Sequence, residues 1–127
     1  MLNKIYKGKK FGLNGKIINL NKKSLKFFKK KFFYKYFLLF CHKNNLNYSR
    51  ISFIIPKKKI KFSYKRNQIK RIIKESFRLN QHKLINLDFL LIVNFNITYL
   101  SKIIIRKEIN FIFSEFFYDK KSSNNFY

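Results

Sequence analysis

The chain has 127 residues, with 30 Lys plus Arg against 5 Asp plus Glu, a formal net charge of +25 and a pI near 10.4. This length suits one domain with one modest core, and a hydrophobic content of 46% excludes wholesale disorder. A charge this large calls for a polyanionic partner, nucleic acid first and an anionic membrane surface second.

Residues 1–19 are basic, interrupted by Gly and Asn, and read as an extended arm. In 20–33 (LNKKSLKFFKKKFF), Leu25, Phe28 and Phe32 recur at helical spacing among lysines, which predicts a short helix. The aromatic-rich stretch 34–42 (YKYFLLFCH) predicts a strand, and 43–49 a polar turn. Residues 50–56 (RISFIIP) predict a second strand, with Ile51, Phe53 and Ile55 on one face and Ser52 and Ile54 on the other. Pro56 and the cluster Lys57-Lys58-Lys59-Ile60-Lys61 end it. A long helix is expected from about 63 to 83, with Ser63 as its N-cap. Residues 88–95 (DFLLIVNF) are almost continuously apolar, as in a strand buried on both faces. Asn96-Ile97-Thr98 turns the chain. Ser101 is placed to cap a last helix over 102–117 that buries Ile105, Ile109, Ile112, Phe113 and Phe116. The tail 119–127 is polar and expected to be disordered, which leaves 20–118 as the single folded domain.

Several function classes fall away. The basic N-terminus lacks the apolar core of a secretory signal. Apolar runs such as 37–41 are far short of the ~20 residues that span a bilayer. The lone Cys41 has no disulfide partner, which fits a reducing cytoplasm. No Cys/His cluster has zinc spacing, and Gly8, Gly12 and Gly15 are the only glycines, too few for a phosphate-binding loop. The five acids, Glu75, Asp88, Glu108, Glu115 and Asp119, are scattered and form no paired-carboxylate magnesium site. His42 and His82 have no catalytic partner in sequence, and His82 reads as a residue at a helix C-terminus. Ala and Trp are absent while Lys, Ile, Phe, Asn and Tyr dominate, so A/T-rich codon usage accounts for part of the lysine excess. It accounts less well for the scarcity of acids.

The stretch 63–84 (SYKRNQIKRIIKESFRLNQHKL) is the most informative. With Ile69 at zero and ~100° per residue, Ile72, Ile73, Ser76 and Phe77 lie within roughly 80° of it and face a core. Asn67, Lys70, Arg71, Lys74 and Arg78 fall between roughly 100° and 200°, a polar stripe with Arg66 at its margin. Like charges at this spacing repel, and a phosphate backbone relieves that repulsion while counterions are released.

The run Lys65-Arg66-Asn67-Gln68-Ile69-Lys70-Arg71-Ile72-Ile73-Lys74-Glu75-Ser76-Phe77-Arg78 closely resembles the signature helix of the protein subunit of bacterial ribonuclease P. That family carries Arg-Asn-Arg, an aliphatic residue, Lys-Arg, and then Glu/Gln-x-Phe-Arg. The flanks agree: Arg50-Ile51-Ser52-Phe53-Ile54-Ile55-Pro56-Lys57-Lys58 is similar to the strand that ends in Lys-Lys, and Gln81-His82-Lys83-Leu84 before Asp88-Phe89 to the link to the next strand. The likeness covers 50–117 well and 20–49 loosely. Gln68 replaces the third residue of the Arg-Asn-Arg triplet, so a cationic contact becomes neutral.

The resemblance implies an α/β fold of order αβββαβα, with a mixed central sheet and a left-handed βαβ crossover. It requires a three-stranded meander, or two longer strands with a break, within 32–55. It implies a subunit that binds the catalytic RNA of ribonuclease P and the 5′ leader of precursor tRNA, with magnesium-assisted phosphodiester hydrolysis residing in the RNA. By carry-over, Arg66, Asn67, Gln68, Lys70, Arg71, Lys74 and Arg78 form the RNA-binding face, and Lys57 and Lys58 a basic loop. Leu25 and Phe28 line a leader cleft, completed by an alternate face of the strand near 36–40. The alternatives are a small ribosomal or general RNA-binding protein without a role in cleavage, and a membrane-surface binder.

Overall fold

The computed structural model describes residues 30–118, as β1 (Lys30–Phe33), β2 (Phe37–Lys43), β3 (Arg50–Ile54), α1 (Ser63–Asn80), a 3-10 turn (Gln81–Lys83), β4 (Leu87–Val93) and α2 (Lys102–Ser114). The expected arm, the expected first helix up to residue 29 and the tail lie outside these residues.

Lys30–Phe33 forms a strand where the lysine-phenylalanine spacing suggested the end of a helix. Over four residues a helical and an alternating reading of Lys and Phe overlap, and pairing decides between them. Tyr34–Tyr36 reverses the chain, with Tyr34 N donating to Phe37 O at 2.9 Å, so that Lys30–Phe33 pairs antiparallel with Leu38–Cys41. The single strand expected over 34–42 is therefore the second arm of a hairpin.

The sheet order is β1-β2-β4-β3. A meander over 32–55 would have placed β3 beside β2. Instead β4 lies between them, antiparallel to β2 and parallel to β3. The central position explains its sequence, since every β4 residue except Ile92 is buried.

One face of the sheet presents Phe37, Leu39, Ile51, Phe53, Phe89 and Leu91 to the helices. Helix α1 returns Ile69, Ile72, Ile73 and Phe77, and α2 returns Ile105, Ile109, Ile112 and Phe113. The aromatic rings interlock edge to face: Phe89 meets Phe113 at 6.4 Å and Phe116 at 5.5 Å, and Phe32 meets Phe116 at 5.1 Å. The strand phase places Leu38, Phe40, Ser52, Ile54, Leu90 and Ile92 on the opposite face. There Leu90 and Ser52 are buried, and Leu38, Phe40, Ile54 and Ile92 are half-buried.

Helix ends depart from expectation by a few residues. The N-cap of α1 is Phe62, whose side chain makes no capping bond, and Ser63 is already helical. The α-helix stops at Asn80, and the 3-10 turn carries the exposed His82 and Lys83 into the bridge between Leu84 and Phe117. In α2 the expected cap is present, with Ser101 Oγ accepting from Ile104 N at 3.3 Å. The helix ends at Ser114, and Phe116 is buried beyond it.

The buried Asp88 aligns with His42 on β2 and Arg50 on β3. Arg50 Nε donates to Oδ1 at 2.8 Å and Nη2 to Oδ2 at 2.6 Å, while Asn44 Nδ2 donates to Oδ1 at 2.8 Å. This β4 carboxylate ties the β2–β3 turn to the start of β3. Asp88→Asn keeps the volume and removes the charge. The expected loss is about 2 kcal/mol, below the ~3–5 kcal/mol of a fully buried pair because the Arg50 side chain is 30% exposed, and urea unfolding measures it.

Candidate nucleic-acid interface

Among the described residues, the candidate RNA-contacting positions fall on three surfaces. The first is the loop before α1. Lys59 N and Ile60 N both donate to Pro56 O at 3.0 Å, closing a turn that projects Lys57, Lys58 and Lys59 outward. The fully buried Ile60 anchors it. Arg66 Nη1 donates to Ile60 O at 2.8 Å and to Lys61 O at 2.9 Å, latching the loop to the first turn of the helix.

The second is the outer side of α1. Because Ile69, Ile72, Ile73 and Phe77 are committed to the core, Asn67 and Arg71 are exposed and Lys70 is half-exposed. Lys74 departs from the stripe reading, since it is buried at 7% exposure. Burial, then Lys70 and Arg71, pushes its ammonium down from 10.5 to about 8. Arg78 lies on the stripe but is neutralised locally. Its Nε donates to Glu75 Oε1 at 2.6 Å and its Nη2 to Oε2 at 2.9 Å, and this pairing holds the Glu75 carboxyl below its usual range. Gln68 sits on the other flank of the helix, half-buried, with Oε1 buried and lacking a hydrogen-bond partner among the described residues. Lys65 is buried too and donates to Leu100 O at 3.1 Å, tying α1 to the approach to α2.

The third is the sheet face turned away from the helices. The β1–β2 register sets Lys31 beside Phe40 and Phe33 beside Leu38. The Lys31 ammonium lies 5.0 Å from the Phe33 ring and 5.4 Å from the Phe40 ring, and Phe33 is 73% exposed.

The family model described as Ribonuclease P matches residues 23–116, most of the chain. The chain belongs to the ribonuclease P protein family. The ribonuclease P protein component of Baumannia cicadellinicola subsp. Homalodisca coagulata is 54% identical over 55 residues, 43% of this chain and 48% of that protein. That of Buchnera aphidicola subsp. Schizaphis graminum (strain Sg) is 44% identical over 73 residues, 58% and 64% of the two chains. The chain thus spans between about half and just under two thirds of these curated relatives. Among solved structures, the Staphylococcus aureus RNase P protein superposes with a TM-score of 0.70 at 19% identity, over 78% of this chain and 93% of that one. The Thermotoga maritima RNase P protein gives 0.67 at 23%, over 77% and 94%. At these identities the likeness concerns the fold, a mixed sheet carrying two helices.

The family's motif positions are thus distributed unevenly. Lys57 and Lys58 on the loop, and Asn67, Lys70 and Arg71 on the helix, are presented outward. Arg66 supports the loop, Arg78 is paired, and Lys74 and Gln68 are turned partly or wholly inward. Leu25 and Phe28 lie outside the described residues. Of the strand near 36–40, Leu38 and Phe40 face away from the helices, whereas Phe37 and Leu39 are core. Sequence reasoning passed over Lys31 and Phe33, because assigning 30–33 to a helix hid their register with Phe40 and Leu38. It also passed over the Glu75–Arg78 pair, although the i,i+3 spacing was visible. Among the described residues no three His, Cys, Asp or Glu side chains gather to hold a metal ion, and no helix is long and apolar enough to cross a membrane.

Lys74 gives the interface a pH signature. Unfolded, it keeps its proton up to about 10.5; folded, it gives the proton up near 8. Between these values the unfolded state binds more protons, so this residue makes stability rise with pH and opposes folding below the window. Urea unfolding of the parent and of Lys74→Met, from about pH 7 to about pH 10, reads the effect as a difference between the two proteins. The parent gains on the variant as pH rises, and a flat difference would place the ammonium in water.

Proposed function

We propose that this chain is the protein subunit of ribonuclease P, binding the catalytic RNA and the 5′ leader of precursor tRNA to support endonucleolytic 5′ maturation of tRNA. The observation that carries the reading is the junction of α1 with its preceding loop. Arg66 fixes Lys57–Lys61 against the helix turn that presents Asn67, Lys70 and Arg71, so loop and helix act as one cationic surface. Phosphate contacts made from such a surface position an RNA without reading its sequence.

The leader is assigned to the sheet face that carries Leu38, Phe40, Lys31 and Phe33. Unpaired bases stack on aromatic rings while lysines follow the backbone, and this face offers both. By resemblance, Leu25 and Phe28 complete that cleft. Phosphodiester hydrolysis belongs to the RNA subunit. Magnesium is assigned there as well, a reading supported by the engagement of Glu75 and Asp88 with Arg78 and Arg50 and by the scatter of the acids along the chain. A reducing cytoplasmic location fits a chain whose single cysteine, Cys41, is buried.

Reconstitution with a bacterial ribonuclease P RNA and precursor tRNA at low magnesium tests the reading directly. Cleavage should rise above that of RNA alone. RNA binding without any gain in cleavage would instead favour a general RNA-binding protein. Replacing Lys70 and Arg71 by Ala should weaken RNA binding and reduce the slope of log K against log salt by about one to two units, and an unchanged slope would move the docking face elsewhere. Gln68→Arg tests the departure from the triplet. Tighter binding is expected if a phosphate still faces this flank of α1, and no change means the contact has been rearranged.

A further inference from the structure

Phe62 and Tyr64 flank the start of α1 and are 50% and 66% exposed. Their ring centroids lie 5.6 Å apart with the planes inclined by only 31°. Elsewhere in the fold the rings meet steeply: Phe32–Phe116 at 89°, Phe77–Phe113 at 63° and Phe89–Phe116 at 78°. Both rings of the shallow Phe62–Tyr64 pair are exposed, so the pair leaves aromatic surface open to solvent.

The backbone beneath the pair is held from both sides. Phe62 O accepts from Lys65 N and Arg66 N at 3.1 Å each, and Arg66 grips the two preceding carbonyls. The exposed lysines 57, 58, 59 and 61 stand immediately before the rings in the chain. No Asp or Glu occurs before Glu75. Unpaired nucleotides combine a flat base with a negative backbone, and the site offers an exposed aromatic pair directly after a run of exposed lysines. A membrane surface fits less well. Interfacial binding needs a broad apolar stripe, and the apolar side of α1 is already occupied by the sheet.

We infer that Phe62 and Tyr64 form a stacking platform for an unpaired base of an RNA strand whose phosphates run along Lys57–Lys61. The inference rests on the RNA-binding reading above, and extends it by adding a non-electrostatic subsite to the cationic docking face. Stacking releases no counterions, so the platform contributes affinity without steepening the salt dependence.

The chain contains no tryptophan, so Phe62→Trp places a single tryptophan within the platform, which is excited selectively over the eight tyrosines. The variant is titrated with short oligoadenylate, with inorganic polyphosphate and with phosphatidylglycerol vesicles. Strong quenching by oligoadenylate and little by polyphosphate is expected. Equal quenching by both, or a blue shift on vesicles without a response to oligoadenylate, would overturn the platform. In parallel, the Phe62→Leu/Tyr64→Leu variant should bind bacterial ribonuclease P RNA about tenfold more weakly, with the salt slope and the thermal unfolding midpoint unchanged. Unchanged affinity would overturn the platform as well. Should the parent protein fail to stimulate cleavage while Phe62→Trp is still quenched by oligoadenylate, the platform stands and the ribonuclease P assignment falls.

Discussion

Parallel strands cannot be joined by a tight turn. The pairing of β3 with β4 is therefore the constraint on which the rest of the molecule depends. Arg50 and Asp88, in register on the two strands and joined by two hydrogen bonds, mark the end at which that pairing is set. The chain leaving β3 must travel back along the sheet before β4 can enter beside it, and α1 is that return path. Its apolar residues have one surface to cover. Once they cover it, Lys70 and Arg71 have no direction left except outward. The cationic face is in this sense a by-product of sheet connectivity, and its placement follows from strand order.

Not all of the positive charge is available to a partner. Arg50 closes on a carboxylate, Lys65 on a carbonyl between α1 and α2, and Arg66 on the carbonyls of its own loop. These bonds organise the surface on which other lysines act. Arg66 shows the division most clearly. It stands in the family triplet, yet here its guanidinium orients the loop that carries Lys57 and Lys58. A guanidinium suits this task because its planar donors reach two adjacent carbonyls at once, which an ammonium at the end of a flexible stem does less well.

Long elements were legible in the sequence because their periodicity repeats. The core side of α1, the continuously apolar β4 and the Ser101-capped α2 each extend over enough residues for one period to prevail. The hairpin of β1 and β2 was not legible. FFKKKFFYKYF satisfies two periods at once, and only pairing with the next strand chooses between them. Strand order was hidden for a related reason, since β2 and β3 are adjacent in the chain and nothing local reveals that β4 separates them. In the interface, helical angle sorted α1 correctly into core and stripe, but it carries no information about what packs at the margins. Lys74 lies on the stripe by angle and is buried by its surroundings. Ser63 reads as the N-cap in the sequence, whereas the structure gives that position to Phe62.

The crowding of Lys70, Arg71 and Lys74 on one helix has a consequence for how the protein responds to its ionic surroundings. Mobile ions screen repulsion within α1 and so favour the folded chain. In the proposed RNA complex the same ions compete for the phosphates and so disfavour binding. Fold and assembly thus pull in opposite directions as ionic strength changes. At low salt that repulsion is strongest, and under the proposed function a bound strand takes over the role of the missing counterions and becomes part of what keeps the helix folded.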